Sequence, residues 1–167
     1  RGLARAGIHP QILLKSHIFE RSGSMWTQQA YLKGSATEGF DFFGSSVAID
    51  GDTVVVGAQG ENGGIAGVNG NEADNTASGS GAAYIFTRDV SDVWSQQAYL
   101  KASNPEMNDN FGGAVAIDGD TVVVVGQRED SGATGVNSDE SNNDFMDAGA
   151  GYVFVRDGVG LGANKPT

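Results

Sequence analysis

Residues 47–56 and residues 115–124 have the same sequence, VAIDGDTVVV, and lie 68 positions apart. In each copy an Asp-Gly pair separates two apolar runs, which is a strong short-range signal for a β-hairpin because its tight turn needs a positive φ. The three valines after the turn are β-branched and suit a buried strand. The stretch therefore predicts a hairpin that occurs at least twice.

The repeat extends well beyond this hairpin. Residues 26–88 and 94–156 align without a gap and are identical at 35 of 63 positions, among them Trp26 with Trp94. A partial third copy precedes them, because residues 18–21 followed by Trp26 resemble residues 85–88 followed by Trp94. Each unit contains four short strand patterns and one long Gly/Asn/Asp-rich loop, at 60–80 and 128–148.

These units predict an all-β fold of the β-propeller type, with repeats of four-stranded antiparallel blades in an incomplete propeller. A β-helix is the alternative, although its repeats are usually much shorter. The predicted regions are an atypical N-terminal segment (1–16), a repeat region (17–157) and a flexible tail (158–167). The repeat region divides into a partial blade (17–33), a full blade (43–101) and a partial blade (111–156). Because the chain begins with Arg1 and inside one repeat unit, we expect it to be a processed piece or a fragment of a larger protein.

Composition excludes several classes of protein. The 167 residues include 26 glycines and no cysteine, and the net charge is −11. Disulfide scaffolds, cysteine-based zinc sites and thiol catalysis are therefore excluded. The acidic charge disfavours nucleic acid as a partner, and no apolar run reaches the roughly 20 residues of a membrane span.

The repeat resembles a known family through a few positions. Phe43-Gly44 and Phe111-Gly112 match the first half of the FG-GAP repeat, and Gly57-Ala58 followed by Gln59 stands where its Gly-Ala-Pro would be. This repeat is known from the seven-bladed propeller of integrin α subunits and from many bacterial surface and secreted proteins. The resemblance implies an extracellular or cell-surface propeller protein, similar to the bacterial form of the repeat.

Calcium is the cofactor that the resemblance raises. Integrin-type repeats often hold Ca²⁺ in a longer loop between the first two strands, which here is reduced to the short turns at 50–52 and 118–120. A Ca²⁺ ion needs six to eight oxygen ligands, so we expect no site at the turns. The long loop at 128–148 offers another candidate Ca²⁺ site, with Asn137, Asn142 and Asn143 as neutral donors and these acidic residues: Glu129, Asp130, Asp139, Glu140, Asp144 and Asp147. The commoner alternative is a solvated acidic loop without metal.

Catalytic patterns are weak. The aspartates at 50, 52, 118 and 120 are adequately explained as turn residues, and no G-x-S-x-G sequence occurs. His9 and His17 are the only imidazoles and lie outside the full repeats. Residues 158–163 read GVGLGA, but no helical pattern follows them, as a dinucleotide site would need. We therefore expect no enzyme activity.

The functional expectation is a non-catalytic structural or interaction module that binds a protein or glycan partner through its loops. Two alternatives remain open: a Ca²⁺-dependent adhesion module that uses the acidic loops, and an accessory domain of a larger extracellular enzyme. The tryptophans and tyrosines could form a sugar-binding platform, although their recurrence in each unit favours packing between blades. Incomplete propellers have open edges, so we also expect self-association or contact with further blades.

Overall fold

The fold consists of antiparallel strands joined by turns and loops. The computed structural model describes residues 3–7, 15–157 and 160–161, with side chains for 15–156, and contains no helix in these residues. The strands are β1 (Leu3–Gly7), β2 (Lys15–Ser22), β3 (Met25–Leu32), β4 (Phe43–Asp50), β5 (Thr53–Ala58), β6 (Ala82–Arg88), β7 (Trp94–Leu100), β8 (Phe111–Asp118), β9 (Thr121–Gly126), β10 (Ala150–Asp157) and β11 (Gly160–Leu161).

The strands form three sheets in chain order, which we call blades 1, 2 and 3. Blade 1 is β1-β2-β3, blade 2 is β4-β5-β6-β7 and blade 3 is β11-β10-β9-β8. Blade 2 thus has the four antiparallel strands that the repeat predicts, and the all-β, propeller-type fold is confirmed. None of the described sheets closes on itself.

Two strands fall in segments to which the sequence assigned no blade. Strand β1 lies in the 1–16 segment and pairs with β2, with Leu3 opposite Phe19. Strand β11 lies in the 158–167 tail and pairs with the end of β10, with Arg156 opposite Leu161. The remainder of the tail and His9 lie outside the described residues.

The repeated hairpin forms as predicted, but its turn is one residue later than the Asp-Gly pair. Asp50 pairs with Thr53 and Asp118 with Thr121, so the turn residues are Gly51-Asp52 and Gly119-Asp120. Glycine therefore occupies the first central position, with φ of 53° and 56°. A positive φ there matches the twist of the flanking strands.

Blade 2 is buried on both faces, because successive residues along its strands point alternately toward blade 1 and toward blade 3. Val54 and Val56 pack in one apolar cluster with Ile18 and Leu32 of blade 1. Val55, between them, packs in a second cluster with Phe111 of blade 3. All six residues of β5 are consequently buried. The equivalent strand β9 alternates between buried and half-buried residues, because blade 3 is covered on one face by the described residues.

The outer faces of the end blades carry exposed apolar side chains. Tyr31 in blade 1 is 47% exposed, whereas its repeat equivalent Tyr99 in blade 2 is 1% exposed. Val153 in blade 3 is 49% exposed, whereas its equivalent Ile85 is 1% exposed. Because these positions are equivalent in the repeat, the difference in exposure comes from the presence or absence of a neighbouring blade and not from the strand itself.

The Phe-Gly pair at the start of a blade contacts the preceding blade. Phe111 N–H donates to the Ser80 carbonyl at 2.9 Å, and Gly81 bridges Phe111 in parallel. Gly112 has a φ of 87°, and a Cβ there would lie 2.1 Å from the Ala82 carbonyl oxygen. Glycine is required because two backbones meet at this point. The Phe111 ring then packs edge-on to Tyr152, as Phe43 packs on Tyr84.

Candidate functional site

All the long connections lie at the same ends of the strands. The tight hairpins are at the opposite end, so we call residues 33–42, 59–81, 101–110 and 127–149 the loop end. All six acidic residues of the candidate calcium site and most departures from the repeat lie here. The loop end is therefore the candidate functional site.

The two long loops share several hydrogen bonds although their sequences differ. Gly81 N–H donates to the Glu61 carbonyl, and Gly149 N–H donates to the Glu129 carbonyl, both at 2.8 Å. Gly67 and Gly135 both have positive φ. Further equivalent pairs are Ser35–Glu72 with Ser103–Glu140 and Asn75–Glu38 with Asn143–Glu106. The loop residues that keep register between the two units are thus those that hold the loop shape.

The candidate calcium residues are engaged separately. Among the described residues, no three acidic or histidine side chains form a metal-sized group. Asp130 accepts from the Asp147 N–H at 2.6 Å, Asp139 accepts from Ser141, and Glu140 accepts from Ser103. Asp147 faces Arg128 at 3.9 Å, Asp144 is exposed and Glu129 is buried. Calcium binding by these residues stays a prediction.

A buried ion pair holds the first long loop in place. The Lys101 ammonium lies 2.8 Å from a Glu61 carboxylate oxygen, and their side chains are 0% and 3% exposed. Lys101 also donates to the Ser80 hydroxyl at 2.7 Å and to the Gly81 carbonyl at 2.6 Å. Burial lowers the pKa of Lys101, and the Glu61 carboxylate opposes that effect. The pair joins the end of β7 to both ends of the 60–80 loop.

Glu129 is the repeat equivalent of Glu61 but has different partners. It is 2% exposed and accepts from Asn104 Nδ2 at 3.2 Å and from the Ser131 N–H at 3.1 Å. No described lysine, arginine or histidine lies within ion-pair distance of it. Its described partners are therefore neutral donors, where Glu61 has the ammonium of Lys101.

Two phenylalanines at the loop end have an unusual backbone. Phe40 and Phe42 have φ of 72° and 54°, in the left-handed region, and their side chains are 64% and 42% exposed. At the equivalent positions the second unit has Asn108 and Asn110, with φ of 70° and 54°. Asparagine tolerates this conformation far better than phenylalanine does. The alignment of the two units shows that phenylalanine stands where the second unit has asparagine. Only the backbone conformation shows that the phenylalanines are unfavourable there.

Asp109 is a titratable group at the same end. Burial raises the pKa of Asp109 to about 6, and the carboxylates of Glu106, Glu129 and Asp130 add to that effect. The Glu106 N–H, which donates to Asp109 at 2.7 Å, opposes it. Between the ordinary pKa of about 4 and about 6, the folded chain therefore binds more protons than the unfolded chain. The contribution of Asp109 to stability therefore falls as the pH rises through that window.

We expect Asp109→Asn to reduce the dependence of stability on pH in this window, while the buried Asp41, whose pKa burial also raises, keeps its own contribution. The amide oxygen can still accept from the Glu106 N–H, while the cost of a buried charge at neutral pH disappears. The variant should be more stable than the parent at pH 7, by about 2 kcal/mol, and nearly equal to it at pH 4. Denaturant unfolding measured from pH 4 to pH 7 tests this. Asp139→Asn is the control, because the exposed Asp139 has a pKa lowered by bonds from Ser141; an unchanged slope in Asp109→Asn would contradict the assignment.

The hairpin end holds the aspartates considered for acid–base chemistry. Arg88 pairs with Asp52 at 2.5 Å and Arg156 pairs with Asp120 at 2.6 Å, while Asp50 accepts from the Gly119 N–H at 2.8 Å. The described imidazole, His17, lies on blade 1 and contacts Gln28 at 3.2 Å. These aspartates therefore connect strands and neighbouring hairpins.

The recurrent aromatic residues divide between core and surface. Tyr99 is buried in the cluster between blades 1 and 2, and Trp94 packs against that cluster beneath the Arg88 guanidinium. Trp26 and Tyr31, the equivalents on blade 1, are 46% and 47% exposed. The recurrent tryptophan and tyrosine thus pack between blades wherever a preceding blade is present.

Comparison with known proteins agrees with this architecture. The family model described as FG-GAP repeat matches residues 26–86 and 94–154, more than two thirds of the chain. No curated protein matches the sequence significantly. In the described part of the chain, no helix has the length and apolar character needed to cross a bilayer. Two consecutive matches, each covering the last strand of one blade and the first three strands of the next, show that the chain belongs to the FG-GAP repeat family.

Proposed function

We propose that the chain is a non-catalytic interaction module of a secreted or cell-surface protein, and that it binds a protein or glycan partner through its loop end. FG-GAP repeats form propeller-type modules that are common in extracellular proteins. Fold alone does not determine function. The proposal therefore depends on the residues of the loop end.

The observation that carries the proposal is the pair Phe40 and Phe42. A left-handed backbone costs a non-glycine residue about 1–2 kcal/mol, and here it is adopted by two phenylalanines that are 64% and 42% exposed, the Phe42 ring lying against Gly60. In the second unit, asparagine adopts the same backbone conformation at both equivalent positions. Strain that persists where a better residue is available in the same chain supports a binding role.

Other apolar side chains at the loop end support the same surface. Five are well exposed: Ile65, Met107, Val136, Phe145 and Met146. Phenylalanine and methionine are enriched in protein interfaces, where charged groups form the rim, and aromatic faces also stack on sugar rings. The acidic residues around them would favour a partner with neutral or basic groups.

The test replaces both phenylalanines by the residues of the second unit, in Phe40→Asn/Phe42→Asn. Because the strain is relieved, we expect the melting temperature to rise by a few degrees. Because the rings are lost, we expect binding on glycan arrays and arrays of extracellular proteins to fall at least tenfold. Loss of stability together with loss of binding would indicate a structural role and contradict the proposal.

A matched control alters exposed apolar residues at the hairpin end. Val90 and Val93 lie between β6 and β7 and are exposed, so Val90→Asn/Val93→Asn removes similar apolar surface far from the loops. We expect this variant to bind as the parent does. Running both arrays with calcium and with a chelator distinguishes the calcium-dependent alternative.

The exposed outer faces add a second proposed contact. Tyr31 and Val153 occupy positions that are buried in blade 2, so blades 1 and 3 each present a face of the kind that another blade covers. We propose that further blades of the same propeller, or another copy of the chain, pack there.

A further inference from the structure

Five exposed apolar side chains at the loop end do not follow the repeat. They are between 42% and 85% exposed, and we call them the loop-end strip: Phe40, Phe42, Met107, Phe145 and Met146. Their equivalents in the other unit are small or polar, in the same order Asn108, Asn110, Gly39, Ala77 and Ser78. Because the other unit builds the same connection without an apolar residue at these positions, the fold does not require one.

The first part of the strip lies beside the segment that carries Met107. The Phe42 ring lies against Gly60. The carbonyl of the neighbouring Gln59 accepts a hydrogen bond from Asn110 Nδ2 at 3.0 Å. The segments 40–42, 59–60 and 107–110 therefore follow one another across the loop end.

The second part of the strip continues from that segment. The Asp109 carbonyl accepts from the Arg128 N–H at 3.0 Å, and the Asp130 carbonyl accepts from the Phe145 N–H at 3.1 Å. The segments 107–110, 128–130 and 145–146 are thus adjacent as well. The five side chains belong to one continuous surface that reaches from the start of blade 2 to blade 3.

The charge of this surface is strongly negative. The loop end contains 13 acidic and three basic residues, so it carries −10 of the chain's net charge of −11. One of its three cations, Lys101, is buried. Asp144 and Asp147 flank the last two members of the strip and are exposed. The apolar strip is therefore bordered by carboxylates, whereas the rest of the chain is nearly neutral.

We propose that the loop-end strip binds a basic polypeptide segment in which apolar side chains are interspersed with lysine or arginine. The apolar side chains pack on the strip, and the cations face the carboxylates around it. Complementary charge speeds association and acts against partners of the same sign, which disfavours acidic glycans and acidic proteins. This inference rests on the proposed function, since it selects a polypeptide over a glycan and assigns the partner its charge.

The experiment measures binding of three fluorescein-labelled peptides to the full chain by fluorescence anisotropy. The probe is KLKKLKKLKK, and we expect saturable binding at 150 mM salt. KSKKSKKSKK keeps the charge without the leucines, and SLSSLSSLSS keeps the leucines without the charge. Both should bind at least tenfold more weakly, because apolar burial and charge each contribute. No saturable binding of the probe, or equal binding of the two lysine peptides, would overturn the proposal.

A variant of the chain tests the apolar part of the surface. Phe145→Ala/Met146→Ser introduces the residues of the first unit, where the Ala77 N–H makes the equivalent backbone bond, to the Asn62 carbonyl at 2.8 Å. The loop should therefore keep its structure and the melting temperature should stay unchanged. We expect binding of the probe to fall at least tenfold. Binding equal to that of the parent would overturn the proposal.

A second pair of variants tests the position of the charge. Asp144→Asn/Asp147→Asn removes two carboxylates beside the strip and should weaken binding of the probe roughly threefold. Asp92→Asn/Asp118→Asn removes the same charge from exposed positions at the hairpin end and should bind as the parent does. Equal effects of the two variants would show that the probe responds to overall charge, and would overturn the proposal.

The arrays separate this inference from the proposed function. If the probe does not bind while Phe40→Asn/Phe42→Asn abolishes binding to a glycan, the partner is a glycan; the basic-segment inference then fails and the proposed function stands. If neither the probe nor any array partner depends on these two phenylalanines, both fail.

Discussion

Replacing Lys101 by methionine is expected to lower the melting temperature by roughly 10 °C. The change leaves the Glu61 carboxylate buried without its cation, and breaking a buried pair in this way costs about 3–5 kcal/mol. In a chain of 150–250 residues each kcal/mol shifts the midpoint by about 2–4 °C. Thermal unfolding followed by far-ultraviolet circular dichroism measures the effect.

The cost is high because Lys101 satisfies several groups at once. Its ammonium bonds the Glu61 carboxylate, the Ser80 hydroxyl and the Gly81 carbonyl. Methionine fills a similar volume but donates no hydrogen bond, so all three acceptors lose this donor. The Gly81 carbonyl lies next to the junction with blade 3, so we expect the loss to weaken that junction as well.

Two controls distinguish the ion pair from the side-chain volume. The double variant Lys101→Met/Glu61→Met removes both charges and should recover much of the loss, because an apolar pair needs no partner. Lys33→Met changes the equivalent lysine of the preceding unit, which is exposed, and should alter stability by less than about 0.5 kcal/mol. Equal effects of Lys33→Met and Lys101→Met would contradict the role of the buried pair.

Most of the architecture is predictable because the repeat encodes it twice. The VAIDGDTVVV stretch predicts the hairpins, and its three consecutive valines predict a buried strand after each turn. Sequence spacing does not show which blade has neighbours: Val55 and Val123 are the same residue in the same stretch, yet only Val55 is fully buried. That difference depends on tertiary packing.

The candidate site is harder to predict because its chemistry depends on backbone conformation and long-range pairing. Acidic residues in a loop suggest a cation, but here Asp130 and Asp139 accept hydrogen bonds within the loop itself. Glu61 and Lys101 are 40 residues apart, and no local pattern pairs them. Phe40 and Phe42 differ from their repeat equivalents, but only their positive φ shows that the difference is costly.

Replacing Gly112 by alanine is expected to have an effect of similar size, through sterics instead of charge. The new Cβ would lie 2.1 Å from the Ala82 carbonyl oxygen and 3.2 Å from the Ala58 nitrogen. Both are backbone atoms, so no side-chain rotation relieves the contact. Overpacking costs about 1–3 kcal/mol, and the positive φ adds about 1–2 kcal/mol for a residue with a Cβ. We expect a total loss of about 2–5 kcal/mol, measured by denaturant unfolding.

The first unit provides a control for the backbone part of this cost. Gly44 is the equivalent glycine, with a φ of 93°, but its Cβ would meet the Ser16 hydroxyl at 3.2 Å and no backbone atom closer than 3.7 Å. Gly44→Ala should therefore lose only the 1–2 kcal/mol of the strained backbone. Hydrogen exchange gives the local readout, because the Phe111 and Asn110 amides bond the carbonyls of Ser80 and Gly79 across the junction. These two amides should lose protection in Gly112→Ala and keep it in Gly44→Ala; equal losses of stability in the two variants would show that close backbone contact does not determine how the blades are joined.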